Sequence, residues 1–333
     1  MIYHCLLTTI CCLFITASDL NPPEAQVLIQ SGLEFAYVEK FDSALIYFDK
    51  IIQLYPENPA GYFFKVALLQ VKMMDECQHT EEKEYFSIMR QAIKCAKKIL
   101  NEEENLWAEF YLGSSYTYRA VYEGFKNNYL ETFKYGVKGG RILQDIIKKD
   151  STFYDAYLGA GTYEYFWARA ARYLPFFNLA DGDINEAIRK LHIAAEKSIY
   201  SKLTSENSLV FIYGEEKQYS KANNIMDSIL SKYPDSRTLL WNKAKLEFKK
   251  KNYLVAADLY YNLFSIYDTL NNKNYSNLAQ CKLFIGKCFY ELEEKNKAKE
   301  ALKDVIRYKE HSKKYPKIKG YCRDAYGLLS RLL

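Results

Sequence analysis

The sequence predicts an all-α fold: antiparallel helix pairs stacked into a solenoid and closed by one C-terminal helix. Apolar residues recur at i, i+3, i+4 and i+7 through nearly every segment after residue 22. The polar breaks between these segments are short and recur at a spacing that pairs them, as a repeat architecture requires. Only 7 prolines and 14 glycines punctuate 333 residues, and no stretch alternates apolar and polar residues between Gly or Asn turns, so strands are not expected.

Composition sets the class. Apolar residues at 49% and charged residues at 26% belong to a folded chain rather than a disordered one. Tyrosine is in excess, at 31 residues beside 19 phenylalanines; its broad apolar face and polar tip suit half-buried positions as well as cores. The net charge of +5 is too small to imply nucleic-acid binding. It is unevenly spread: residues 241–333 carry about ten excess positive charges, scattered along helices, for example at Lys243, Lys249, Lys295, Lys297 and Lys299. Such lysines usually line a solvated face, and contact with an acidic partner or with an anionic membrane surface is the alternative use.

Taken in order, the first 18 residues, MIYHCLLTTICCLFITAS, hold no Lys, Arg, Asp or Glu. Their apolar run at 5–17 has the length of a signal-peptide core and is too short to span a bilayer. Small residues Ala17 and Ser18 then precede a polar start, so a signal peptide over 1–18 and an exported, periplasmic, envelope-associated or secreted protein are expected. Neither Cys11 nor Cys12 follows the pattern that lipidation machinery reads. Cys77, Cys95, Cys281, Cys288 and Cys322 remain beyond the signal, without metal-type spacing. Pairing of Cys288 with Cys322 or of Cys77 with Cys95 is open in an oxidising compartment, and buried free thiols are the expectation.

Residues 25–58 form the clearest unit. Gly32 lies in its first helix, Phe41, Ala44, Phe48 and Ile51 in its second, and Pro56 closes it. Small side chains let paired helices approach while large neighbours fill the gaps. The same register returns at 203–236 (Leu209, Tyr213, Tyr219, Ala222, Met226, Pro234), at 237–270 (Ala244, Phe248, Tyr253, Ala256, Tyr260) and at 279–312 (Ile285, Gly286, Phe289, Ala298, Leu302). A lone amphipathic helix at 315–333 reads as the cap of a solenoid end. The centre, 59–200, is helical but irregular, with long second helices near 80–101 and 127–149. Leu112-Gly113, Leu158-Gly159 and the Ala187, Leu191, Ala194 set still keep the pattern. Asp183 with Glu186 reads as a helix N-cap and capping box.

These residues resemble the 34-residue tetratricopeptide repeat, closely over about half of the chain and loosely over residues 23–333. The resemblance implies a right-handed α-α superhelix, no cofactor, and a concave inner wall lined by first-helix positions that binds a protein or peptide.

Chemistry-bearing motifs are weak. The histidines His4, His79, His192 and His311 stand far apart, and no required metal is expected. Asp181-Gly182-Asp183-Ile184-Asn185 opens like a calcium loop, but His192 stands where the twelfth-position acid belongs. Gly159-Ala160-Gly161 fails as a dinucleotide fingerprint because no strand precedes it and Glu164 replaces the third glycine. No phosphate loop, nucleophile elbow or His-Glu-x-x-His motif occurs. Gly136, Gly139 and Gly140 are glycines that cost helix stability, so close packing is expected around them.

The aromatic centre exceeds what a scaffold needs: about twenty aromatic residues fall within 107–177, Tyr173, Phe176 and Phe177 among them. Carried over from the resemblance, Trp107, Phe110, Tyr118, Tyr157, Tyr163, Glu164 and Trp167 point to the groove, with Arg119, Arg169 and Arg172 nearby, a mixture typical of binding hot spots. The competing reading is that irregular long helices need these bulky residues for their mutual core. The expected function is a non-catalytic interaction module. The alternatives are a small-molecule or glycan site in an aromatic pocket, and an envelope scaffold touching membrane through the basic C-terminal third.

Overall fold

A computed structural model describes residues 20–173 and 182–332. The expected signal peptide, Asp181, Phe176 and Phe177 lie outside the described residues. Seven helix pairs follow one another: α1 (Pro23–Tyr37) with α2 (Phe41–Leu54), α3 (Pro59–Asp75) with α4 (Glu82–Glu102), and α5 (Leu106–Phe125) with α6 (Tyr129–Lys149). They continue as α7 (Ala156–Tyr173) with α8 (Ile184–Lys197), α9 (Lys202–Glu215) with α10 (Tyr219–Lys232), α11 (Arg237–Lys249) with α12 (Tyr253–Thr269), and α13 (Tyr275–Glu291) with α14 (Lys295–Arg307). A 3-10 turn, Tyr308–Lys313, leads to α15 (Lys317–Arg331), which packs on α13 and α14. No strand occurs among the described residues, and each helix packs on the next.

Local chemistry makes the repeat. Within six of the pairs the first helix ends on a residue in the left-handed region: Glu39, Cys77, Asn127, Lys217, Lys251 and Glu293, with φ between 51° and 64°. The following N–H reaches back five residues, as from Lys40 to Phe35 O at 2.9 Å, Asn128 to Glu123 O at 2.9 Å, and Glu294 to Phe289 O at 2.9 Å. This closure satisfies orphan carbonyls at the helix end and reverses the chain. None of the six is glycine, and Asn127 alone is a residue that tolerates this conformation readily. The irregular centre uses the same turn as the regular repeats, around longer helices. First helices begin on side-chain caps: Asn58 accepts from Ala60 N (2.9 Å), Asn105 from Ala108 N (3.1 Å) and Asn274 from Ser276 N (2.9 Å). At α8, Asp183 caps Asn185 N at 2.8 Å, but Glu186 does not complete a capping box; it turns to Arg189 and Lys190.

Packing between paired helices rests on a small residue facing a large one. A Cβ on Gly32 would lie 2.4 Å from the Phe48 ring, and one on Gly286 would lie 2.7 Å from Leu302. The interior is continuous and rich in tyrosine: Tyr85, Tyr111, Tyr122, Tyr165, Tyr260 and Tyr267 are fully buried.

The inner wall is not uniformly open. Glu39, at the α1–α2 turn, accepts from Arg237 N (3.0 Å), Thr238 N (2.9 Å) and Ser236 Oγ (3.1 Å) at the start of α11. Asp75, at the end of α3, pairs with Arg237 (2.8 Å) and accepts from the Tyr267 hydroxyl (2.7 Å), which accepts in turn from Trp241 Nε1 (3.0 Å). Asn277 donates to Asp75 O at 2.7 Å, and Asn274 to Glu76 O. The Tyr37 and Tyr233 rings meet edge to face at 5.4 Å. Residues some 200 apart in sequence thus clasp the first two pairs to α11–α13. Where α1, α3, α5, α9 and α11 converge, about 190 Å³ of space remains. Along this stretch the α1–α2 turn and the end of α3 meet the start of α11 directly.

Candidate functional site

The seven aromatic and acidic residues expected in the groove divide into four locations. Trp107 and Phe110 belong to the interior. Trp107 packs on Phe153, Phe110, Tyr111 and Tyr200 with centroids 4.6–5.8 Å apart, and Phe110 is 4% exposed. The Asn21 amide lies 3.1 Å from the Tyr111 hydroxyl and 3.3 Å from Trp107 Nε1, tying the N-terminal strap to this cluster. Tyr157 is buried and donates to Ser151 O at 3.0 Å. For these three the bulk serves the mutual core of long helices.

Tyr118 borders the smaller space between α1, α3, α5, α9 and α11, edge-on to Phe63 at 5.4 Å, and burial pushes its hydroxyl up to about 12. Glu164 forms a half-buried ion pair with Lys190 on α8. The neighbouring arginines are likewise engaged. Arg169 pairs with Glu215 at 2.8 Å and with the Tyr165 hydroxyl at 2.9 Å. Arg119 is sandwiched between Tyr135 (3.9 Å) and Phe86 (5.4 Å), linking α6 to α4. These groups fasten helices to each other, and the Arg172 side chain falls outside the described ones.

Tyr163 and Trp167 meet at a larger pocket. With their neighbours on α5, α6 and α7 they line a pocket of about 420 Å³ whose wall is almost entirely carbon, relieved by Thr117, Thr132 and Thr162. Glycines build it. Cβ atoms on Gly139 and Gly140 would lie 2.6 Å from Gly113 O and 2.2 Å from Tyr163, so α6 presses against α5 and α7 at that level. Toward the start of α6 the side chains become Gly136, Phe133 and Tyr129, and the pocket opens between the three helices. Phe133 stacks on Trp167 at 5.8 Å, and the Trp167 ring lies tilted against Tyr163 at 5.8 Å, which gives the pocket an aromatic side.

Around the mouth, apolar side chains face solvent: Tyr129 (73% exposed), Leu130 (78%), Phe133 (51%), Phe166 (52%) and Val121 (45%). The patch continues through Phe211 on α9, 6.3 Å from Phe166. At roughly 150–250 Å² per aromatic side chain, these exposed fractions amount to apolar surface on the order of 500 Å². That is at the upper end for a lone folded chain, and patches of this size commonly mark a contact site. Tyr129, Leu130, Phe133 and Phe166 were not singled out from sequence. The available signal was a run of apolar residues on a helix already supplied with a separate inward set.

The three histidines among the described residues have local partners. His79 and His192 each hydrogen-bond a tyrosine hydroxyl, Tyr122 at 2.9 Å and Tyr213 at 2.8 Å, and His311 stacks on Tyr275. The cysteines Cys77, Cys95, Cys281, Cys288 and Cys322 are free thiols. Among the described residues no helix is long and apolar enough to cross a membrane, and no three His, Cys, Asp or Glu side chains gather as a metal site.

No family model and no curated protein matches the chain. Solved structures do. The Cut9-Hcn1 hetero-tetramer of the APC/C is 16% identical with a TM-score of 0.56, over 92% of this chain and 55% of that one, so the chain spans about half the length of this neighbour. A tetratricopeptide repeat protein from Parabacteroides merdae is 13% identical (TM-score 0.45; 92% of this chain, 100% of that one). The C-terminal part of a repeat-containing protein from Cytophaga hutchinsonii is 14% identical (TM-score 0.43; 87% and 98%). At such identities the likeness is one of fold: an all-α, tetratricopeptide-like superhelix.

Proposed function

We propose that the chain is a non-catalytic interaction module that docks an apolar segment of a partner protein on the α5–α7 pocket. The observation that carries this reading is the coincidence of a carbon-walled pocket of about 420 Å³ with protruding Tyr129, Leu130, Phe133 and Phe166. Desolvating aromatic anchors in such a pocket supplies most of the affinity of a typical interface. The inner wall is a poorer candidate, because Glu39, Asp75 and Arg237 hold it against α11. Export to the cell envelope remains part of the proposal and supplies the source of partners.

The test is affinity capture from an envelope fraction with the intact chain and with a Tyr163→Ala/Trp167→Ala variant. Both side chains are only partly buried, so helicity by circular dichroism stays unchanged while specific partners are lost. Equal capture by the two proteins would remove the reading. A second reading, an apolar small molecule in the same pocket, is favoured by the scarcity of hydrogen-bonding groups in its wall. That scarcity also argues against a glycan, whose hydroxyls need partners. Displacement of a bound hydrophobic dye by lipid extract, rather than by protein, would favour it.

A further inference from the structure

The helix that forms one wall of the pocket carries a second, unused feature on its solvent side. Leu130, Phe133, Lys134, Val137, Lys138 and Arg141 fall at i, i+3, i+4, i+7, i+8 and i+11 of α6, which places them along one helical stripe. Apolar residues dominate the start of the stripe and basic ones its end, with Lys134 and Val137 interleaved. Lys134, Lys138 and Arg141 are exposed. Lys134 has a solvent-exposed contact with Glu131 at 3.2 Å, of a kind worth little in water. Lys138 lies over the Tyr116 ring at 4.1 Å, a contact that leaves its charge uncompensated. Among the described residues no carboxylate pairs with Lys138 or Arg141.

Acids on the surrounding elements have basic partners of their own, although the Asp145–Lys148 contact is as exposed as that of Lys134. Glu82 pairs with Lys126, Glu123 with Arg119, Asp145 with Lys148, and Glu109 with Lys149. The pocket therefore opens beside a positive strip that the fold does not neutralise.

We infer that the docking segment of the partner is acidic next to its apolar anchor, with Asp or Glu residues reading Lys138 and Arg141 while the anchor enters the pocket beside Phe133 and Trp167. This rests on the docking reading above and adds the partner's chemistry. The geometry sets the spacing. At about 1.5 Å of rise and about 100° of turn per helical residue, Lys138 stands roughly 7.5 Å along α6 and about 140° around it from Phe133, and Arg141 roughly 12 Å along and about 80° around, one turn past the pocket residue Val137. An extended peptide leaving the pocket over Val137 covers the rise and the turn together in about four residues, at about 3.3 Å each. A protein segment fits better than a lipid surface, since a concave pocket rewards one shaped anchor and the charges lie to one side of it.

The experiment is selection of a phage-displayed random peptide library on the purified full chain at low salt. The selected peptides are expected to share a Phe, Leu or Trp with Asp or Glu enriched about four positions away. A Lys138→Glu/Arg141→Glu variant, whose substitutions lie on exposed positions and whose fold is checked by circular dichroism, is expected to bind those peptides about tenfold or more weakly and to select basic residues instead. Peptides with apolar anchors but no acidic enrichment, or acidic peptides that bind the charge-reversed variant equally well, would overturn the inference while leaving the docking site intact. Absence of any enrichment over the Tyr163→Ala/Trp167→Ala variant would remove the docking site itself, and the acidic segment with it.

Discussion

Replacing Glu39 by alanine tests whether the superhelix is clasped by its own first turn. The Glu39 carboxylate is 7% exposed and takes three donors at the start of α11: Ser236 Oγ, Arg237 N and Thr238 N, at 2.9–3.1 Å. It acts as an N-terminal cap delivered from nearly 200 residues away, favoured by the positive end of the helix. Removing a cap costs about 1 kcal/mol, and stranding a buried donor costs about 1–3 kcal/mol. Water entering the opened contact offsets part of this, so the expected loss is about 2–3 kcal/mol. Urea unfolding followed by circular dichroism measures it, and amide exchange at 236–239 locates it. Glu39→Gln keeps one acceptor and removes a charge that burial already disfavours, so it should lose less than about 1 kcal/mol. A loss below about 0.5 kcal/mol for alanine, with unchanged exchange at the α11 N-terminus, would show that the contact is incidental and that the inner wall opens freely.

Other predictions follow from single contacts. Arg237→Met breaks a pair whose side chains are only 12% and 8% exposed and should cost about 3 kcal/mol or more by urea unfolding; adding Asp75→Asn should restore part of it, because the uncompensated charge is then gone. Gly140→Ala forces Tyr163 to move, since a Cβ would lie 2.2 Å from its ring, and should cost about 1–3 kcal/mol and weaken partner capture together. Burial pushes the Glu39 carboxyl above its ordinary value of 4.5. The folded state then holds that proton more tightly than the unfolded state does, so its stabilising contribution is present below pH 4.5 and is lost as pH rises through the folded value. Denaturation midpoints measured across that window should show the difference between the two chains shifting in favour of Glu39→Gln as pH rises.

Helix periodicity made the architecture legible because it reports a local property: which side of each helix is dry. Gly32 against Phe48 and Gly286 against Leu302 sit at matching repeat positions, and each pair is short-range enough for a pattern to record. The site was legible only in part. Tyr163 and Trp167 lie at the pocket, whereas Trp107, Phe110 and Tyr157 fill the interior of the long-helix centre. Aromatic density alone cannot separate these cases, since a buried anchor and an exposed one have the same composition. Tyr129, Leu130, Phe133 and Phe166 passed unnoticed because exposure depends on which neighbour is missing.

Residue order along the chain was enough to decide the helices, their pairing and the closing helix, since each follows from contacts spanning tens of residues; the left-handed turns at Glu39, Cys77, Lys217, Lys251 and Glu293 carry no such local signal. Tertiary packing alone decided that Glu39 and Asp75 would clasp α11 and that Glu164 and Arg169 would be consumed as fasteners. It also decided that α5, α6 and α7 would leave a pocket toward solvent. Those outcomes depend on the rotation accumulated over many stacked pairs. A small change in each crossing angle moves the two ends of the solenoid by many ångströms, and no local pattern carries that sum.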